Sequence, residues 1–331
     1  MTSYRPIKEA SKNLRKRYEA YITGEVIPVL DCGIPSMQRN KLFPRGELAV
    51  LHGISGSGKS TFAFQYELGV AIRLYLDDMP GCVVVNSLEM TEEKLTERMA
   101  AILSGVDVSA WLNGTMLQKD YIKLLDWLDF VDALPIYIDD TSFLTTGQMD
   151  HNLEELHLSE TGPVVLLVSD YGELFADDAS SEEQRVNAIF RNQFRMTREY
   201  DTTILAISQS TNNKADTGRT YIAGPDGTRY SKGILQAADT LVEMWNPPQL
   251  EKSGRMLDDK ALATAGYNKE LAYLFVQKFR GSSIGNKGLP FGWLDYRTTF
   301  FDHTLSHTIG NETIFTHLDA ARKKFDNERS T

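Results

Sequence analysis

The sequence predicts an α/β fold, with a mostly parallel central sheet flanked by helices. Two observations carry this prediction. Strand-like apolar runs, such as 82–88 and 163–169, are continuous rather than alternating, as in strands covered on both faces. These runs alternate with helical patterns, such as those at 119–134 and 183–200, and this order is typical of parallel strands joined by crossover helices.

The segment 53–60 has the pattern G-x-x-x-x-G-K-S and lies between a strand-like run and a helix-like run. This is the pattern of a phosphate-binding loop, whose glycines let backbone N–H groups converge on a phosphate. Lys59 is expected to reach the β- and γ-phosphates, and the Ser60 hydroxyl is expected to bind Mg²⁺. The predicted nucleotide-binding residues are Gly53, Ser55, Gly56, Ser57, Gly58, Lys59, Ser60 and Thr61.

Composition and charge indicate which broad class of protein the sequence encodes. Of the 331 residues, 42% are hydrophobic and 24% are charged, which is ordinary for a soluble globular protein. There is no apolar run of membrane-span length, no signal-peptide segment, and no metal or redox spacing between the two cysteines. We therefore expect a cytoplasmic protein. The formal net charge of -10 argues against a protein that coats duplex DNA by bulk electrostatics, although a local basic surface can still bind nucleic acid.

Polar residues follow three of the strand-like runs at their carboxyl ends, where open α/β sheets bind ligands. Glu89 is a candidate general base for a water molecule, although taken alone it could equally be an exposed strand-end carboxylate. Asp170 closes a strongly apolar run and is a candidate for holding Mg²⁺ through its water shell. Gln209 ends the next run and is placed to contact the γ-phosphate.

Two further groups of basic residues stand out. The turn-rich segment 210–233 is long enough to be functional, and it carries Lys214, Arg219, Arg229 and Lys232. Near the C-terminal end of a later strand-like run, Lys278 and Arg280 alternate and therefore share one face of the strand. A pair of this kind can also be simply solvated.

The order of these elements resembles the motor domain of the DnaB family of replicative hexameric helicases, within the wider RecA-like ATPases. The resemblance covers about residues 24–302. Its most specific pieces are SLEM at 87–90, LPIYIDDT at 134–141 and R-x-S-x-x-I-x-Q-x-A-D at 229–239.

The resemblance implies a role for each candidate residue. Glu89 would activate the water that attacks ATP, Asp170 would organise Mg²⁺, and Gln209 would sense the γ-phosphate. Arg280, with Lys278 beside it, would act as an arginine finger on the nucleotide of the next subunit. The resemblance therefore implies a homo-oligomer, most simply a hexamer, with ATP sites shared between subunits.

The resemblance also implies that segment 210–233 lines a central channel and grips single-stranded DNA by its backbone. Arg229 and Lys232 are the best candidates for phosphate contacts, with Lys214 and Arg219 as further candidates. The sequence departs from the family at Lys232, where a glycine is usual. This departure puts the details of the DNA contact in doubt.

The expected organisation is a basic N-terminal helix or arm at 1–23, the motor domain at 24–302, and a C-terminal helix and tail at 303–331. Within the last segment a helix is expected at 314–325, with its last residues frayed. The first helix is either a solvated arm or a segment that packs on a neighbouring subunit. The family's helical N-terminal domain is expected to be absent, as in a compact phage or mobile-element form working in a bacterial cell. A primase or helicase loader is a possible partner.

Two alternatives remain open at this point. A RecA-like recombination or strand-exchange ATPase would form filaments on DNA without processive unwinding. A nucleotide-switched assembly module would act on a protein partner and would hydrolyse nucleotide independently of DNA.

Overall fold

The computed structural model describes residues 6–23, 29–107, 109–210, 231–252, 268, 270–280, 289–294, 299–302 and 315–330. The strands of the described chain are β1 (Leu48–Gly53), β2 (Cys82–Ser87), β3 (Ile136–Asp139), β4 (Val164–Asp170), β5 (Thr203–Gln209), β6 (Thr240–Trp245), β7 (Ala272–Phe279), β8 (Leu289–Leu294) and β9 (Thr299–Asp302). The helices are α1 (Ile7–Thr23), α2 (Pro35–Arg39), α3 (Lys59–Leu76), α4 (Glu92–Ser104), α5 (Ser109–Leu112), α6 (Gln118–Asp132), α7 (Thr146–Leu158), α8 (Glu182–Glu199), α9 (Ser231–Ala237), α10 (Pro247–Lys252) and α11 (Leu318–Arg329).

The strands form one sheet in the order β3-β2-β4-β5-β1-β6-β7-β8-β9. The first six strands in this order are parallel, whereas β7, β8 and β9 are added antiparallel at one side. The predicted mostly parallel sheet is therefore confirmed. Strands β1, β2 and β4 are buried along their whole length, as expected for continuous apolar runs covered on both faces.

Helices cover both faces of the sheet, and alternate strand residues face two separate apolar clusters. One cluster joins Leu51, Val85 and Val168 to α3, α4, α6 and α11. The other joins Val50 and Val84 to α7, α8 and α9. Within the described residues, no helix has the length and apolar character needed to cross a membrane.

The C-terminal helix differs from its prediction. It was expected at 314–325, but α11 begins at Leu318 and continues to Arg329. Its position depends on Arg322, whose guanidinium lies 4.8 Å from the Trp127 ring centroid and whose Nη2 donates to Asp126 Oδ2 over 2.6 Å. The helix therefore packs on α6 instead of fraying.

The start of α4 is satisfied from another element. Thr91 occupies the N-cap position, but its side chain makes no capping hydrogen bond. Instead, the Glu92 N–H donates to Asp140 Oδ2 over 3.1 Å. A carboxylate from the loop after β3 thus satisfies the helix end, which ties β3 to the segment that follows Glu89.

Candidate functional site

The glycine-rich loop joins β1 directly to α3, as predicted. A side chain on Gly53 would place its Cβ 2.6 Å from the Met244 carbonyl oxygen of β6, so only glycine allows this approach. Gly58 has φ +89°, a left-handed conformation that glycine adopts without strain, and α3 begins at the next residue. The loop thus places backbone N–H groups and the positive end of α3 at one edge of the sheet, as an anion site requires.

Lys59 lies across the mouth of this loop. Its Nζ donates to the carbonyl oxygens of Gly53, over 2.9 Å, and Ile54, over 3.0 Å, and its side chain is buried. Burial lowers the pKa of Lys59 to about 8, while the nearby carboxylates of Asp170, Glu173 and Glu89 oppose that shift. The ammonium is therefore charged at neutral pH, and phosphate oxygens can replace its two carbonyl contacts.

Asp170, at the end of β4, and Ser60, at the start of α3, meet side chain to side chain. Burial raises the pKa of Asp170 to about 6, and its hydrogen bond with Ser60 opposes that shift. Among the residues that the structure describes, Asp170 Oδ1 is buried without a hydrogen-bond partner. A hydroxyl beside an unsatisfied carboxylate oxygen is a donor set that suits Mg²⁺, so these two residues fit the predicted ion.

Glu89 and Gln209 reach the same edge of the sheet from β2 and β5. Glu89 is exposed; its pKa is raised by partial burial and lowered in turn by the charge of Lys59. Gln209 is partly buried at the last position of β5, and it pairs in register with Gly53 of β1. The structure therefore places the predicted water-activating carboxylate and the predicted γ-phosphate sensor at the edge that holds the phosphate loop.

Two further residues of the site were missed in the sequence. The hydroxyl of Tyr171 is hydrogen-bonded to the side chains of Ser60 and Gln209, which links the two ends of the candidate site. Glu173 Oε1 accepts hydrogen bonds from the Ser208 hydroxyl and, over 3.0 Å, from the Gln209 N–H. Both residues follow β4 closely, so the only signal in the sequence was their place just beyond the strand-ending Asp170.

Glu173 has an unusual environment for an acid. It is 8% exposed, and Oε2 has no hydrogen-bond partner in the described part of the chain. Burial raises its pKa to about 7, whereas the hydrogen bonds from Ser208 and Gln209 and the charge of Lys59 oppose that shift. The acidic groups here, Glu89, Asp170 and Glu173, are thus balanced in part by Lys59 and by Arg98, which also acts on Asp170.

The structure does not bring Lys278 and Arg280 to the phosphate loop. Strand β7 runs antiparallel to β6, and Phe279 pairs with Thr240, the first residue of β6. Arg280 therefore lies at the amino edge of the parallel strands, whereas the loop follows their carboxyl edge. The six residues of β1 separate these edges by about 16 Å, so Arg280 cannot reach the nucleotide of its own chain.

The predicted DNA contacts fall largely outside the described residues. Lys214, Arg219 and Arg229 lie in 211–230, which the structure does not describe. Lys232 belongs to α9, but the position of its side chain is not described either.

Solved structures with the same fold include an isolated ATPase domain. It superposes with a TM-score of 0.73 at 17% identity and covers 90% of this chain and 99% of that one. A DnaB-like replicative helicase, solved in a study of its interactions with primase, has a TM-score of 0.70 at 17% identity, covering 90% of this chain and 67% of that one. At this level of identity, both likenesses establish the fold.

Sequence relatives carry replicative helicase names. A probable replicative DNA helicase of Trieres chinensis is 27% identical over 268 residues, which are 80% of this chain and 54% of that protein. The replicative DNA helicase DnaB of Synechocystis sp. is 30% identical over 166 residues, which are 50% of this chain and 18% of that protein. The chain thus matches between about a fifth and about half of the length of these relatives. The model of the DnaB-like helicase C terminal domain matches residues 37–299, most of the chain, and the chain therefore belongs to that family.

Proposed function

We propose that this chain is the ATP-hydrolysing motor of a replicative DNA helicase that moves along single-stranded DNA as a ring of identical subunits. The observation that carries the proposal is the separation of two sets of groups. Lys59, Ser60, Asp170 and Glu89 gather at the carboxyl edge of the sheet, while Arg280 lies at the amino edge. A second copy of the chain is then needed to bring Arg280 to the nucleotide.

The chemistry assigned to the site is hydrolysis of the bond between the β- and γ-phosphates of ATP. Water attacks the γ-phosphorus, Glu89 accepts its proton, and ADP and phosphate are released. Lys59 exchanges its bonds to the Gly53 and Ile54 carbonyl groups for bonds to phosphate oxygens. Ser60 and Asp170 are the residues that would hold Mg²⁺, which would supply charge neutralisation at the phosphates. Tyr171 and Glu173 hold Gln209 in place beside the reacting group.

The N-terminal helix supports assembly into an oligomer. None of the side chains of α1 is buried by the rest of the described chain. Its apolar residues share one face and are largely exposed, with Ile7 at 82%, Leu14 at 49%, Tyr18 at 56% and Ile22 at 86%. A 17-residue helix that buries nothing is marginal alone, so we propose that this face packs on a neighbouring subunit.

A matching surface lies between α4 and α6. This groove has a volume of about 620 Å³, with apolar walls that include Leu124, Leu125 and Leu128. Its rim carries Glu92, Glu93 and Glu97. The helix α1 has five basic residues and two acidic ones, so helix and groove are complementary in both charge and polarity.

The DNA-binding role rests on the basic segment 210–233, with Arg229 and Lys232 as the first candidates for backbone phosphates and Lys214 and Arg219 as further ones. A primase or loader is a further proposed partner. It rests on the relative whose interactions with primase have been studied structurally.

The test measures ATP hydrolysis with and without single-stranded DNA, at low and moderate salt, with the oligomer mass recorded in the same samples. We expect DNA to stimulate hydrolysis in a closed oligomer and a forked duplex to be unwound. Lys59→Ala and Glu89→Gln should abolish turnover, and Arg280→Ala should abolish it while leaving nucleotide binding intact. Arg191→Ala, an exposed change on α8, is the matched control. DNA-independent hydrolysis by a monomer would overturn the motor proposal and favour a nucleotide switch.

A further inference from the structure

The end of helix α9 is held by the two cations of strand β7. Lys278 Nζ donates to the carbonyl oxygens of Leu235 and Ala238. Arg280 Nη2 donates to the Gln236 carbonyl oxygen over 2.9 Å. These carbonyl groups lie at the C-terminal end of the helix, where backbone acceptors lack helical partners and cations are favoured.

Asp239, just after α9, adds a charged partner for the arginine. Arg280 Nη1 donates to Asp239 Oδ1 over 2.7 Å. The other carboxylate oxygen, Oδ2, accepts the Leu48 N–H of β1 over 3.1 Å. The main chain of Asp239 is also fixed, because its N–H donates to the Leu48 carbonyl oxygen over 2.8 Å and its own carbonyl oxygen accepts from the Arg280 N–H over 3.1 Å. The residue is 6% exposed, so it is a rigid anchor.

The guanidinium held by this anchor is still available to a ligand. The Arg280 side chain is 43% exposed, and the two contacts described above use two of its five N–H groups. The Phe194 ring lies 5.6 Å from the guanidinium carbon. Arg280 is thus held from one side, by Asp239 and the Gln236 carbonyl group, and its remaining donors can turn outward.

We propose that Asp239 is the positioning residue of the trans-acting arginine. By holding one side of the guanidinium against the end of α9, Asp239 orients Arg280 towards the nucleotide of the adjacent subunit. Because α9 begins directly after segment 211–230, the same contacts connect the arginine to the proposed DNA-binding segment. This inference rests on the proposed function, in which Arg280 acts in trans.

A purely structural role for Asp239, as a cap that holds α9 on the sheet, makes different predictions. Loss of a cap lowers stability and, through it, every activity of the chain. Loss of arginine orientation lowers the turnover number while the fold and ATP binding persist. An Asp239→Asn variant separates these outcomes, because its amide oxygen can still accept the Leu48 N–H while its NH₂ group faces Arg280 and cannot accept from it.

The first experiment measures steady-state ATP hydrolysis, KM for ATP and melting temperature for Asp239→Asn in oligomers of verified mass. We expect kcat to fall about 10- to 100-fold, the scale of a misplaced catalytic group, with KM unchanged and with the melting temperature lowered no more than in Arg280→Ala, which breaks the same ion pair. The control is Asp132→Asn, the same chemical change at an exposed acid at the end of α6. Wild-type kcat in Asp239→Asn, or an equal loss in Asp132→Asn, would overturn the proposal.

The second experiment mixes variants to ask whether the defect passes to the neighbouring site. Lys59→Ala subunits lack a working site but carry an intact Arg280, so they can complete the site of an Asp239→Asn subunit. Mixed oligomers should hydrolyse ATP faster than either variant alone, approaching about a quarter of the wild-type rate for random assembly of independent sites in a ring.

A parallel mixture of Lys59→Ala with Arg280→Ala tests the trans site separately from the role of Asp239. If this mixture recovers activity and the Asp239→Asn mixture does not, the trans site stands and the role of Asp239 is wrong. If neither mixture recovers activity, the trans site itself is wrong, and the role of Asp239 is overturned with it.

Discussion

Replacing Glu173 by glutamine should remove a large part of the pH dependence of stability between about pH 5 and pH 8. Glu173 is buried, and its Oε1 accepts hydrogen bonds from Ser208 and Gln209. Burial raises its pKa to about 7, from an ordinary value of 4.5. Glutamine keeps an oxygen acceptor of the same shape but never ionises, so it carries no cost of burying a charge.

The direction in which stability changes with pH follows from proton linkage. In the unfolded chain this carboxyl group loses its proton near pH 4.5, while in the folded chain it keeps the proton until about pH 7. The folded state therefore binds more protons between these values, and stability falls as the pH rises through this window. A pKa of about 7 in the folded chain against 4.5 in the unfolded chain is worth ~3 kcal/mol over the whole titration.

The assay is urea denaturation of both proteins at pH 5 and pH 8, without nucleotide or Mg²⁺ and at matched protein concentration. The wild type should lose about 2 to 3 kcal/mol relative to Glu173→Gln between the two pH values, since part of the titration lies below pH 5. Titrating groups that do not interact with Glu173, such as Asp170, are present in both proteins and cancel in this difference, whereas Lys59, whose pKa is raised by the charge of Glu173, changes with it. Glu160→Gln, an exposed loop change, is the control and should track the wild type.

An equal change in the free energy of unfolding between pH 5 and pH 8 for the wild type and Glu173→Gln would refute this prediction, because it would mean that Glu173 titrates alike in the folded and unfolded chains. A difference that grows towards low pH would refute it as well, since it would mean that the folded state holds the carboxylate in its charged form.

The remaining predictions concern packing and the metal site. Gly69→Ala should lower the free energy of unfolding by more than ~2 kcal/mol, because the new Cβ would lie 2.0 Å from the Cys32 carbonyl oxygen. Gly147→Ala, whose nearest contact is 3.8 Å away, should instead stabilise the protein by ~0.5 kcal/mol. Equal melting temperatures for the two variants would contradict the close packing at Gly69. Arg322→Ala should lower the free energy of unfolding by ~2 kcal/mol in urea denaturation, because it removes a guanidinium that contacts Asp126 through two nitrogens and stacks on Trp127. Arg322→Lys should not restore this stability, since lysine lacks the planar guanidinium. A change below ~0.5 kcal/mol would argue against docking of α11. Asp170→Asn should reduce Mg²⁺-dependent turnover by at least ~100-fold while melting no lower than the wild type, because burial raises the pKa of Asp170 to about 6 and asparagine carries no charge to bury. Normal turnover would remove Asp170 from the site.

The nucleotide-binding loop was predictable because its geometry is local. Gly53 to Lys59 are consecutive residues, so the pattern of glycine, lysine and serine specifies strand, turn and helix together. The gathering of Glu89, Asp170 and Gln209 was also predictable, because parallel strands present their carboxyl ends at one edge of the sheet.

Other parts of the site were not predictable in this way. Tyr171 and Glu173 act through contacts with Ser60, Ser208 and Gln209, which come from other elements of the chain. Nothing in the spacing of Glu173 shows that its carboxyl group is buried. Its raised pKa is a property of the assembled site.

The sequence by itself thus determined the order of strands and helices, the phosphate loop and the set of residues at the carboxyl edge of the sheet, because periodicity and local turn chemistry are written into neighbouring residues. Only the tertiary structure decided that β7 runs antiparallel and carries Arg280 to the opposite edge, held by Asp239. Only the structure showed that α1 leaves its apolar face uncovered. An apolar run predicts a strand but not its direction, since direction depends on which distant residues pair with it.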